Sequence, residues 1–115
     1  MLGIAEGTDK EILDYFVGHF EESPKQLGNV CLAAHNRGYN VNYFADIKNL
    51  NIGDEIYYTF NNITKKYEVV LKTIIEETDW SNLKNTKENK ITLITCVENE
   101  PEFRRCVQAI EKEEF

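Results

Sequence analysis

The sequence predicts a mainly β domain, a barrel or curled sheet with short helices in its connections. Three features predict it. Short apolar or alternating runs of strand length recur along the chain at 29–34, 55–60, 64–71, 91–96 and 103–110. Asn61 and Asn62, between the second and third runs, suit a tight hairpin. Helical patterns are short and fall in the connections, which is the signature of a β-rich architecture.

The elements follow in order. Thr8 and Glu11 are spaced as a capping box, and Ile12, Leu13 and Phe16 follow at helical spacing. A short helix is therefore expected over 8–17, stopped by Gly18. Residues 21–28 hold Ser23, Pro24 and Gly28 and read as a loop. The run 29–34 is a buried strand by its length, and it delivers His35 at its end. Asn36, Arg37 and Gly38 form a turn, and Tyr43, Phe44, Ile47 and Leu50 suggest one or two helical turns. Ile52, Gly53 and Asp54 turn the chain into the 55–60 and 64–71 hairpin, whose second strand runs on to Ile75. Residues 78–90 are polar and loop-like. The strand 91–96 ends on Cys96, residues 97–102 form an acidic loop containing Pro101, and 103–110 is the last strand.

Length and charge narrow the function classes. A chain of 115 residues makes one domain, 1–115, with a modest core. Its net charge of -7 opposes nucleic-acid phosphates, and its basic residues form no run that would hold a membrane surface. No stretch approaches the roughly 20 apolar residues that span a bilayer, and the N-terminus meets Glu6 and Asp9 too early for a signal peptide. Three cysteines cannot all pair with one another, no C-x-x-C is present, and there are only two histidines, so no structural zinc and no cofactor are expected.

Two strand ends present reactive side chains, His35 and Cys96, and the pair Arg104 and Arg105 opens the strand after the cysteine. If that strand pairs with 91–96, an arginine comes near Cys96. A thiolate attacks acyl carbons, a histidine moves the proton, and an arginine holds a developing oxyanion. Taken singly, each residue has a plainer reading: an inert core cysteine, a hydrogen-bonded structural histidine, a solvated arginine. Neighbours on a strand point to opposite faces. Arg104 shares a face with Cys106 and Gln108, and Arg105 shares one with the core-like Val107 and Ala109, so Arg104 is the choice. His19 fits packing, Cys31 the core, and Cys106 a bystander. Trp80, with Asp79 and Ser81, either caps a cleft or plugs the edge of the sheet.

The motif T-L-I-T-C at 92–96 resembles the T-L-x-T-C signature of sortases. R-R-C-V at 104–107 resembles that family's R-x-x-V strand, G-N-V-C-L-A-A-H at 28–35 its strand ending in the catalytic histidine, and E-G-T-D at 6–9 with G-H-F at 18–20 the segment before it. The resemblance runs in order over nearly the whole chain. It implies a sortase-like β-barrel and a cysteine transpeptidase that cleaves an LPxTG-like sorting signal, with Cys96 as nucleophile, His35 as acid and base, Arg104 at the oxyanion and Thr95 positioning substrate. The implied partners are the sorting-signal peptide of a surface protein and an amine acceptor, a cell-wall precursor or a pilin lysine. The implied location is extracytoplasmic and membrane-anchored.

The chain departs from the family pattern in three ways. Sortases carry a signal-anchor and an opening strand ahead of the segment matched at 6–20. Here Met1 stands almost at that segment, so the first barrel strand is expected to be missing, leaving a sheet edge that invites self-association. Ala34 stands where a glycine usually precedes the histidine. Finally, His35, Asn36 and the eight-residue step from Cys96 to Arg104 resemble class B, whereas the 6–20 segment resembles classes C, D or E. Two rivals stand beside this reading. A papain-like protease would need Cys before His, the reverse of the order here. A truncated sortase-like module would bind peptide without turnover.

Overall fold

The computed structural model describes residues 4–8, 17–34, 47–97 and 100–112. Among the described residues, seven strands make up nearly all of the regular structure: β1 (Ile4–Glu6), β2 (Val17–His19), β3 (Asn29–Ala33), β4 (Glu55–Phe60), β5 (Ile63–Glu76), β6 (Lys90–Val97) and β7 (Glu100–Glu111). Single 3₁₀ turns at Ile47–Asn49 and Ser81–Leu83 sit in the connections. The strands form one curled half-barrel in the order β1-β2-β3-β6-β7-β5-β4. The β1/β2 and β3/β6 pairs are parallel and the others antiparallel. The predicted mainly β architecture is therefore the observed one.

Side-chain alternation sorts residues between two faces. The inner face holds the main core, including Val30, Leu32, Tyr67, Val69, Ile91, Leu93, Val107 and Ala109. Burying each larger aliphatic side chain there contributes about 1.5–3 kcal/mol. The outer face carries a second cluster, Ala33, Ile75, Ile94 and Cys106, against which Phe20 and Leu83 pack. Strand β5 serves both faces because its register shifts between Val69 and Leu71. The extra residue reverses the parity, so Tyr67 and Val69 face the inner core while Ile75 joins the outer cluster.

The hairpin between β4 and β5 turns on Asn61 (φ 51°) and Asn62 (φ 65°), as expected. Both residues occupy the left-handed region, which Asn tolerates better than most residues.

Two expectations are corrected. Of the helix expected over 8–17, residues 9–16 lie outside the described residues, but Val17 and the stop residue Gly18 belong to β2. All three residues of β2 are buried between two neighbouring strands, and that pairing takes Val17 and Gly18 into the sheet. The acidic loop expected over 97–102 is shorter than predicted, because β7 already begins at Glu100 and includes Pro101. The register skips there: Val97 pairs with Glu100 while Cys96 pairs with Arg104. The opening residues of β7 lean instead toward β5, where Glu77 N–H donates to Glu102 C=O at 2.9 Å. A strand start is where proline is tolerated. The polar 78–90 segment is irregular as expected up to Asn89, apart from its 3₁₀ turn, and Lys90 already opens β6.

Candidate active site

Cys96 lies on the outer face of β6, beyond Ile94 and Thr92. Across the antiparallel β6/β7 ladder it pairs directly with Arg104. Direct partners share a face, with Cβ atoms about 4.5–5.5 Å apart. Arg105 pairs with Thr95 and lies on the opposite face. The ladder thus brings Arg104, and not Arg105, to the side of Cys96.

Arg104 is anchored at its own strand start. One terminal nitrogen donates to Pro101 C=O (2.7 Å) and Phe103 C=O (2.8 Å), and the other reaches Glu77 Oε2 at 3.3 Å. Its side chain stays 30% exposed, so the guanidinium keeps solvent access beside the ladder.

The three thiols differ in setting. None is in a disulfide; Cys31 and Cys106 are buried and Cys96 is half-buried. Burial pushes the Cys31 thiol up to about 11 and that of Cys106 to about 12. Both stay protonated at neutral pH, and a protonated thiol is a poor nucleophile. Cys96 is the thiol that solvent reaches.

His35 lies outside the described residues. Its predecessor Ala34 is buried, its N–H donating to Ile94 C=O at 3.3 Å. The Thr95 hydroxyl donates to Ala34 C=O at 2.7 Å. Thr95 is 3% exposed, so this hydroxyl ties the strand end leading to His35 to the residue beside Cys96.

A cavity of about 600 Å³ opens on the same outer face, bordered by Phe20, Ser23, Cys31, Trp80, Leu83 and Lys84. Its floor adjoins the cluster that contains Ile94. Cys96 stands two residues further along β6, about 7 Å at strand spacing. Trp80 is exposed and meets Phe20 edge-on, with ring centroids 6.5 Å apart. It borders the cavity.

His19 sits elsewhere. It is 1% exposed, with Nδ1 3.0 Å from the Glu6 carboxylate and Nε2 facing Pro24 C=O at 2.8 Å and Ser23 Oγ at 3.0 Å. That is a packed structural histidine. Among the described residues no three His, Cys, Asp or Glu side chains converge as metal ligands would.

Sequence reasoning did not anticipate one feature of this face. Asn29, Thr92 and Gln108 are buried and hydrogen-bonded to one another and to the 81–85 segment. The only signal for it was the polar residue at alternate positions of otherwise apolar strands.

Comparison with known proteins places these features in a wider set. The model of the sortase domain matches residues 1–111. Sortase A of Bacillus anthracis is 30% identical over 106 residues, which cover 92% of this chain and 50% of that protein. Sortase A of Listeria monocytogenes is 39% identical over 69 residues, 60% of this chain and 31% of that one. Among solved structures, sortase A from Corynebacterium diphtheriae superposes with a TM-score of 0.91 at 28% identity, covering 99% of this chain and 56% of that chain. Sortase C-1 from Actinomyces oris gives 0.91 at 26%, covering 98% and 68%. The chain spans half or less of the length of the two sequence relatives.

Proposed function

Because the chain belongs to the sortase family, we propose that its 115 residues form one catalytic domain of a cysteine transpeptidase acting on an LPxTG-like sorting signal. The observation that carries this reading is the direct pairing of Cys96 with Arg104 on the face where the cavity opens. In the first step the Cys96 sulfur attacks the scissile carbonyl, and the carbonyl oxygen takes up negative charge. Arg104 holds that charge. The C–N bond then breaks, His35 gives a proton to the leaving amine, and a thioester remains on Cys96. An incoming amine, from a cell-wall precursor or a pilin lysine, attacks the thioester, gives up its proton to His35 and restores the thiolate. Thr95 serves by fixing the strand ends that present His35 and Cys96 to substrate.

The family acts outside the cytoplasm in association with the membrane, and we assign this domain the same setting. No helix among the described residues is long and apolar enough to cross a membrane. Strands β1 and β4 each have one neighbour in the sheet, and self-association through either edge belongs to the same reading.

A second reading is favoured by one observation: the Arg104 guanidinium is already engaged by Glu77, Pro101 and Phe103. In that case the chain is a module that binds peptide without turnover. Intact-mass analysis after incubation with an LPxTG-type peptide library separates the two. The catalytic reading requires an acyl adduct that maps to Cys96 and is lost in Cys96→Ala. It also requires Arg104→Ala to slow acylation by about 10²–10³, the scale of one oxyanion donor, with Arg105→Ala costing far less. An adduct that survives Cys96→Ala removes Cys96 from the mechanism. Peptide binding with no adduct, from folded protein, establishes the module.

A further inference from the structure

The polar residues buried on the outer face have one destination. Asn29, Thr92 and Gln108 are 1%, 0% and 7% exposed. Burying such groups is unfavourable unless their hydrogen bonds are met, and here they are met by one another and by a single segment. The Asn29 amide donates to Asn82 C=O (3.0 Å) and Lys84 C=O (2.9 Å). The Gln108 amide donates to the same Asn82 C=O (3.0 Å) and to Thr92 Oγ1 (3.1 Å). The Thr92 hydroxyl donates to Asn29 Oδ1 at 2.6 Å. Asn29, Thr92, Gln108 and the Asn82 carbonyl thus close a ring that joins β3, β6 and β7 to the connection between β5 and β6.

Further contacts hold the same connection. Asn29 N–H donates to Asn85 Oδ1 at 3.1 Å. Gly28, at φ +89°, lies so close to Asn85 that any side chain there would collide with its carboxamide. Above the ring, Leu83 packs on the outer cluster and Trp80 meets Phe20, and both border the cavity. Cys31 lies beneath, its Sγ 3.8 Å from Leu83 C=O and its surface fully covered.

We propose that Asn29, Thr92 and Gln108 are positioning residues that pin the Trp80–Leu83 wall to the strands carrying Cys96, so that the cavity is formed before substrate arrives. A preformed wall lowers the ordering cost of binding. The kinetic part of this proposal rests on the transpeptidase reading; the anchor itself does not.

Cys31 is a built-in reporter of the anchor, since a wall that lifts uncovers it. The experiment maps iodoacetamide labelling at Cys31 and Cys96 by mass spectrometry in Thr92→Val, Thr92→Ser and Gln108→Leu. Circular dichroism serves as the check on folding. KM and kcat are then measured with an LPxTG-type peptide. Thr92→Val and Gln108→Leu should label Cys31 about tenfold faster, the scale of one buried hydrogen bond, with Cys96 labelling unchanged. KM should rise about tenfold and kcat stay within about twofold, and Thr92→Ser, which keeps the hydroxyl, should behave as wild type. Cys31 labelling that does not change in the two folded, bond-deleting variants overturns the anchor. Faster Cys31 labelling with an unaltered KM overturns the positioning role. If the wild-type protein turns over no peptide, the transpeptidase reading fails separately; Cys31 labelling still decides the anchor, and the peptide Kd then takes the place of KM.

Discussion

Thr92 and Thr95, three residues apart on β6, work on opposite faces of one strand. Thr92 donates to Asn29 near the start of β3, and Thr95 donates to Ala34 just past its end. Both hydroxyls are buried. The two threonines of the T-L-x-T-C signature are thus two fastenings between β6 and β3, with the cysteine held beside the second. The sequence showed the motif but not these partners, because which face a strand residue occupies is local while what lies on that face is not. That Arg104, and not Arg105, lies on the Cys96 side of the ladder was legible, since strand parity and one antiparallel pairing decide it. The buried thiols give a residue-scale prediction. Cys31 and Cys106 rise from an ordinary value of 9.0 to about 11 and about 12 on folding, and Tyr67 rises from 10.0 to about 12, in each case chiefly through burial. The folded state therefore holds protons that the unfolded state gives up. The stability these groups contribute is complete below pH 9 and is lost as pH climbs through 9 toward 12. Urea midpoints measured from pH 8 to 11 should fall above pH 9 and steepen above 10. A midpoint constant to pH 11 would contradict the burial of these groups.

At the scale of the element, what could be read depended on how local the cause was. The β4/β5 hairpin was fully legible because two asparagines between alternating runs carry their own turn chemistry. The register shift after Val69 was not, since nothing in the run of β5 announces an extra residue. Val17 and Gly18, expected to end a helix, were misread because buried residues between two strands owe their conformation to neighbours far along the chain. The hairpin can be tested directly. Asn62 at φ 65° occupies a region where a β-branched residue is strongly disfavoured. Asn62→Val should lower stability by about 1–2 kcal/mol, read as a lower urea midpoint, and Asn62→Gly should hold or raise it. A valine variant as stable as wild type would mean the turn is not left-handed in solution.

Across the whole molecule, the sheet joins two parts of different character. Strands β4 to β7 pair antiparallel, mostly with close neighbours in sequence, and contain both Cys96 and Arg104. Strands β1 to β3 join them through the parallel β3/β6 ladder, in which Asn29–Ala33 meets partners some 61 residues away. Closing so long a loop is slow compared with forming hairpins. Pulsed hydrogen exchange during refolding should therefore protect β5, β6 and β7 before β3, whereas simultaneous protection would refute that order.

The β3/β6 ladder gives the chain a history as well as a shape. While β3 is still undocked, the Thr95 hydroxyl has no Ala34 carbonyl to meet and the strand that leads to His35 is elsewhere. For that interval the chain holds its cysteine and arginine side by side and its histidine apart. On the transpeptidase reading proposed above, a chain at this stage has an accessible thiol and no proton-transfer partner, and becomes competent only when residues 29–34 return to close the seam.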